Sequence, residues 1–157
     1  MSHRLCYHTY MKHPVIKLAQ LLNIKNPQVF KLHAARWNGQ DQPLDVYVRD
    51  AAEWQDRNRY CGDRDEFSRD YILSIIDFYP EPDTWLFGGI YKVVKRNTTG
   101  NTSSYEITEC TEYTPYIGRL KISLPRPPRG RAFYLENYLG DMHVAAILPA
   151  VSNSSNT

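Results

Sequence analysis

Cysteine is scarce in this 157-residue chain: Cys6, Cys61 and Cys110 lie far apart, and an odd number leaves one over. A disulfide framework is therefore excluded as the source of stability. Long apolar runs are missing too, with none near the roughly 18 residues that span a bilayer. The N-terminal stretch MSHRLCYHTYMKHP is too polar for a secretory signal. There is no internal repeat, and no serine nucleophile elbow, phosphate-binding glycine loop or paired-carboxylate metal motif. These absences lead to the expectation of a reduced, cytoplasmic domain with no membrane segment and no complete catalytic set.

What is present is ordinary in amount and uneven in placement. Apolar residues make up 42% of the chain and charged residues 23%, which fits one globular domain and excludes wholesale disorder or a fibrous class. The net charge of +2 is the remainder of three unlike stretches. Residues 1–40 hold six Lys/Arg and no acid; residues 41–83 hold twelve Asp/Glu against five Arg; residues 84–157 hold eight Lys/Arg and five Asp/Glu. Within the last stretch, residues 113–135 contain Arg119, Lys121, Arg126, Arg129 and Arg131 and no carboxylate. Such a run is either a solvated face or a positive stripe suited to phosphate. The acids of residues 41–83 read as a solvated face, with docking of a basic partner as their other use.

Pro14, Val15, Leu18, Leu21 and Leu22 predict a short amphipathic helix with proline in its first turn, broken at Asn26-Pro27. Residues 29–34 read as a strand with Phe30 and Leu32 on one face. Asp50 as N-cap, with Glu53 three residues on, predicts a helix over residues 51–60. Residues 64–70 read as a second short helix. Residues 71–78 (YILSIIDF) are nearly all apolar and rich in β-branched side chains, which predicts a buried central strand. Pro80 and Pro82 then set a turn. Residues 85–94, 105–110, 116–124 and 144–148 are further strands, 97–104 a long hairpin loop, and 125–130 neither helix nor central strand.

Helices early and strands late over one core predict an α+β domain. Its form is a strongly bent mixed or antiparallel sheet, or a partly closed barrel, of about five to six strands with two or three short helices. The domain is expected over residues 14–149, after a flexible basic arm (1–13) and before a disordered tail or linker (150–157).

Gly89-Ile90-Tyr91 and Tyr116-Ile117-Gly118 reproduce the two strings of the GIY-YIG nuclease signature. In that family a helix bearing a catalytic arginine follows the second string at once, and a metal-binding glutamate comes later. Here Arg119 falls on an expected strand, the helix is missing, and Glu136 is the only late glutamate. A metal-dependent endonuclease stands as one alternative.

A broader ordered series runs FKLHAARW, EWQDRNRY, YILSIIDF, TWLFGGIYKV, YIGRLKI, RAFYLEN and HVAAIL. This order resembles the N-terminal domain found ahead of the nuclease domain in some bacterial GIY-YIG family proteins. The matching residues are Trp54-Gln55, the strand at 71–78, Phe87 with Gly89, Tyr91 and Val93, residues 117–122, and Arg131 with Phe133 and Tyr134. The likeness covers about residues 29–148. It implies a targeting module of a restriction or defence system, acting with a linked or associated nuclease domain that this chain does not contain. On that view the chain alone is a binder rather than an enzyme. Analogy to the PUA-like group, which includes readers of modified or flipped bases, adds an expected chemistry. Basic residues hold phosphates, and aromatics with an amide enclose one base.

Arg119 and Lys121 alternate with Leu120 and Ile122 and so project from one face of a strand. With Arg126, Arg129 and Arg131 on the loop beyond, they are the expected backbone-binding set. The alternative is that Arg119 and Arg131 pair with Glu106, Glu109 or Glu112. Trp54, Gln55, Tyr91, Tyr134 and Asn137 are the expected base pocket, rings for stacking and amides for a base edge. The alternative for the aromatics, Trp37 and Trp85 included, is the core. No cofactor or metal is expected. His3, Cys6, His8 and His13 lack the paired spacing of a structural zinc site, and Cys61 and Cys110 read as inert thiols. The expected partner is DNA or RNA, without a membrane, and the sequence leaves the oligomeric state open. A protein-interaction or assembly domain that binds no nucleic acid is the competing class.

Overall fold

Alternation of apolar and polar residues along most of the second half of the chain calls for strands, and strands dominate. The computed structural model of the protein describes residues 16–36, 59–61, 69–78, 80–99, 102–125 and 134–149. In chain order they form β1 (Ile16–Lys17), α1 (Leu18–Leu22), β2 (Phe30–Arg36), β3 (Arg59–Cys61), β4 (Tyr71–Asp77) and β5 (Thr84–Thr99). Then come β6 (Thr102–Glu109), β7 (Leu120–Ser123) and β8 (His143–Ile147). Single turns of 3-10 helix stand at Pro27–Val29, Leu135–Asn137 and Leu139–Asp141, with a longer one at Thr111–Tyr116.

These eight strands belong to one sheet, ordered β1-β8-β7-β5-β4-β2, with β6 beside the far half of β5 and β3 beyond it. Each pairing among them is antiparallel except β2 with β4. The 16-residue β5 is the axis. One of its edges carries β4, and the other is shared by β7 at Thr84, Trp85 and Leu86 and by β6 from Tyr91 onward. Between β7 and β6, the amides of Gly118 and Cys110 donate to the carbonyls of Phe87 and Ile90, each at 2.8 Å. The backbone of β5 therefore stays hydrogen-bonded across the gap, as buried peptide groups require.

A period of two gives each strand two faces. On the first, Phe30, Leu32, Leu73, Ile75, Trp85, Phe87, Leu120 and Ile122 meet Leu18 and Leu22 of α1 and Leu135, Leu139 and Met142. That is the main core. Leu18 and Leu22 stand four apart and so share one face of α1, which ends where Asn23 turns left-handed at φ 57°. Phe30 and Tyr71, register partners on the parallel pair, stack at 5.2 Å. The second face carries Lys31, His33, Ile72, Ser74, Tyr91 and Val93, all buried.

Two glycines mark the place where β5 adjusts to β4. The register shifts between Ser74 and Ile75. A Cβ on Gly88 would stand 2.9 Å from Ser74 Oγ, and Gly89 adopts φ +117°. Such a bulge is open only to residues without a side chain.

The α+β class and the mostly antiparallel mixed sheet agree with the sequence reading; β4 is buried and paired on both edges, though it stands next to the end strand β2 rather than at the centre. Several expectations are corrected. Among the described residues the strands number eight rather than about five to six, and their order is an open path with no closure between β1 and β2. The first helix begins at Leu18, because Ile16 and Lys17 are extended and pair with β8. Arg59 and Tyr60 lie on β3, not at the end of a helix. Residues 97–99 and 102–104 are strand rather than loop, so only Gly100 and Asn101 join β5 to β6. Residues 116–119 form the end of a 3-10 helix and a turn, and β7 starts at Leu120. The arm, the tail, the rest of the helix expected over 51–60 and most of that over 64–70 lie outside the described residues. Among the described residues no helix is long and apolar enough to cross a membrane.

Candidate nucleic-acid interface

The acid-free stretch begins on the main core. Leu120 and Ile122 are fully buried and Lys121 half-buried, so the alternation along β7 holds. Lys121 Nζ lies 2.7 Å from Glu81 Oε2 and 5.2 Å from the centre of the Phe78 ring. Arg119 stands in the turn before β7, not on it. Its Nε donates to the Leu148 carbonyl at 2.8 Å and its Nη1 to the Pro115 carbonyl at 3.0 Å. Backbone oxygens, rather than the carboxylates of Glu106, Glu109 or Glu112, are thus its partners. Both cations brace the fold around β7. Arg126, Arg129 and Arg131 lie outside the described residues, on the connection from the end of β7 to the edge of β2. Its near end is fixed by the Leu124 amide on the Asp83 carbonyl at 3.0 Å, its far end by a bridge between Tyr134 and Lys31.

Of the residues expected around a base, Tyr91, Tyr134 and Asn137 are among the described residues. Tyr91 is 3% exposed in a cluster with Ile72, Val93 and Ile107. Its hydroxyl donates to the Gly88 carbonyl at 2.7 Å. Burial first, and the charge of Glu109 second, push its phenol well above the usual tyrosine range. Tyr91 is a packing residue in this fold, and Trp85, equally buried, belongs to the main core. Tyr134 and Asn137 are joined through the backbone, since the Asn137 main-chain N–H donates to the Tyr134 carbonyl at 3.0 Å. Tyr134 is half-buried and Asn137 exposed. Trp37, Trp54 and Gln55 lie outside the described residues.

Beside Tyr134 stands a group that sequence reasoning missed. The Arg69 guanidinium makes a two-pronged pair with Glu136, Nη1 to Oε1 at 2.6 Å and Nη2 to Oε2 at 3.0 Å. Nη1 also donates to the Phe30 carbonyl at 3.1 Å, and the guanidinium carbon lies 4.3 Å from the Tyr134 ring centre. Hydrogen bonding from Arg69 is the main reason the Glu136 carboxyl is held below its usual range. Arg69 sits at the end of the acidic stretch, 67 positions from Glu136, and no local spacing connects the two.

The second face of the sheet has a polar strip. His33 and Ser74 are register partners on β2 and β4, with Lys31 two residues from His33. All three are buried. Burial, then the charge of Lys31, lowers His33 to about 3. Ser74 Oγ has no hydrogen-bond partner among the described residues.

The end of the second GIY-YIG string meets β5 two residues before the first, since the Gly118 backbone N–H bonds the Phe87 carbonyl. The chemistry differs from that signature. The Tyr91 hydroxyl is enclosed, Arg119 is bound to carbonyls, Glu136 is paired with Arg69, and a strand follows Gly118. Among the described residues no three His, Cys, Asp or Glu side chains are grouped as metal ligands. Cys110 is half-buried, its thiol pushed up chiefly by burial. Comparison with protein-family models, curated proteins and solved structures finds no match to this chain.

Proposed function

We propose that this chain is a nucleic-acid-binding specificity module, with DNA as its ligand, that acts beside a nuclease domain it does not itself contain. The reading rests on one observation above the rest. Residues 113–135 carry five cations and no carboxylate, and the connection bearing Arg126, Arg129 and Arg131 starts and ends on well-packed backbone at Leu124 and Tyr134. Because Arg119 and Lys121 hold the fold, those three arginines are the phosphate-contacting set of this proposal. Tyr134 and Asn137, linked by a backbone hydrogen bond at the end of the same connection, supply a ring and a side-chain amide for an unpaired or flipped base. The ordered likeness to the domain ahead of GIY-YIG nucleases supports the same reading, as does the analogy to the PUA-like group.

Fluorescence anisotropy with short duplexes, plain and cytosine-modified, tests it. The expected result is binding at low salt that differs between the two duplexes, with Tyr134→Ala removing the difference. Absence of binding to any duplex or single strand at low salt would rule the reading out and turn attention to protein partners of the acidic stretch.

A further inference from the structure

We infer that Arg69 is a positioning residue for this interface: it clamps Tyr134 and the 3-10 turn Leu135–Asn137 to the edge of the sheet. The inference rests on the nucleic-acid reading above. Three groups from two segments distant in sequence meet at one guanidinium. Phe30 offers a carbonyl from the start of β2, Glu136 a carboxylate, and Tyr134 the face of its ring. A planar guanidinium can serve all three at once, whereas an ammonium on a flexible stem cannot. The Arg69 side chain is 18% exposed and that of Glu136 29%, so water competes only in part.

The clamp also has a second attachment point. Tyr134 bridges Lys31, the neighbour of Phe30, so backbone and side chain hold the same residue against β2. The turn after Tyr134 is only three residues long and closes on the Tyr134 and Leu135 carbonyls, which order it weakly by themselves. Leu135 anchors it from the core side. Arg69 anchors it from the other. Asn137, the exposed amide of the proposed pocket, stands one residue beyond the clamped carboxylate.

A positioning role predicts a signature that a phosphate contact does not. Losing a phosphate contact lowers the slope of log affinity against log salt by about 0.9, whereas loosening a pocket lowers affinity at unchanged slope. The test compares Arg69→Ala and Arg69→Lys with wild type on a modified duplex at several salt concentrations. Hydrogen exchange at the Asn137 and Tyr138 amides is measured in parallel. The expected result is an affinity loss of about tenfold in Arg69→Ala, only partly restored in Arg69→Lys, at the wild-type salt slope. Exchange at both amides rises in step. A shallower slope would make Arg69 a direct phosphate ligand and overturn the inference. Unchanged exchange would show that no clamp exists, and faster exchange at unchanged affinity would show that the clamp does not serve binding. Failure of the wild-type chain to bind would instead overturn the functional reading; the exchange data would still decide whether Arg69 holds the turn.

Discussion

His33 is neutral in the folded protein because the sheet interior excludes its charged form and Lys31 opposes it. In the unfolded chain the same ring binds a proton below about 6.5. The unfolded state therefore takes up more protons between about 6.5 and about 3. Stability from this residue is complete above that window and falls as pH drops through it, by at most roughly 1.4 kcal/mol per pH unit. Urea unfolding at pH 7, 5 and 4 should show a steeper loss in wild type than in His33→Gln; equal losses would place the acid sensitivity elsewhere. Ser74, its register partner, buries a hydroxyl with no partner among the described residues. Ser74→Ala should therefore be neutral or stabilising by roughly 1 kcal/mol. Tyr91→Phe should cost about 1–2 kcal/mol, since it leaves the Gly88 carbonyl without its donor. That variant should leave nucleic-acid affinity unchanged; a loss of binding at intact stability would return Tyr91 to the pocket.

At the scale of elements, Gly88 is a demanding position. Gly88→Ala sets a methyl group 2.9 Å from Ser74 Oγ and 3.0 Å from Ile76 Cδ1 at the centre of the sheet. A loss of about 1–3 kcal/mol in chemical unfolding is expected; no loss would mean that β4 and β5 separate more easily than their packing indicates. The strands that were legible are those whose own side chains impose burial, such as the YILSIID run of β4 and the alternation of Leu120 and Ile122 on β7. Polar elements were not. The Thr- and Ser-rich ends of β5 and β6 read as a loop because composition outweighed two cues, β-branched threonine and a two-residue Gly-Asn connection, that favour a hairpin. Three-residue β3 exists through its pairing with β6, which no local pattern announces. Tyr116-Ile117-Gly118-Arg119 mimics a strand, yet Gly118 takes φ +76° and the chain turns there.

For the molecule as a whole, the charge pattern was readable and the fate of individual charges was not. Alternation gave the face of Lys121 but not Glu81, which reaches it from the turn between β4 and β5. Arg119 meets the Leu148 carbonyl only because β8 pairs with β7. With both of these cations engaged in the fold, the proposed contact with a nucleic-acid backbone falls to the connection carrying Arg126, Arg129 and Arg131, held at its far end by Tyr134 and Arg69. The salt dependence of DNA binding tests this most directly, measured for wild type and for Arg126→Ala/Arg129→Ala. The account predicts a steep fall of affinity with salt in wild type and a slope shallower by about 2 in the double variant. Identical slopes, or no binding at low salt, would contradict it.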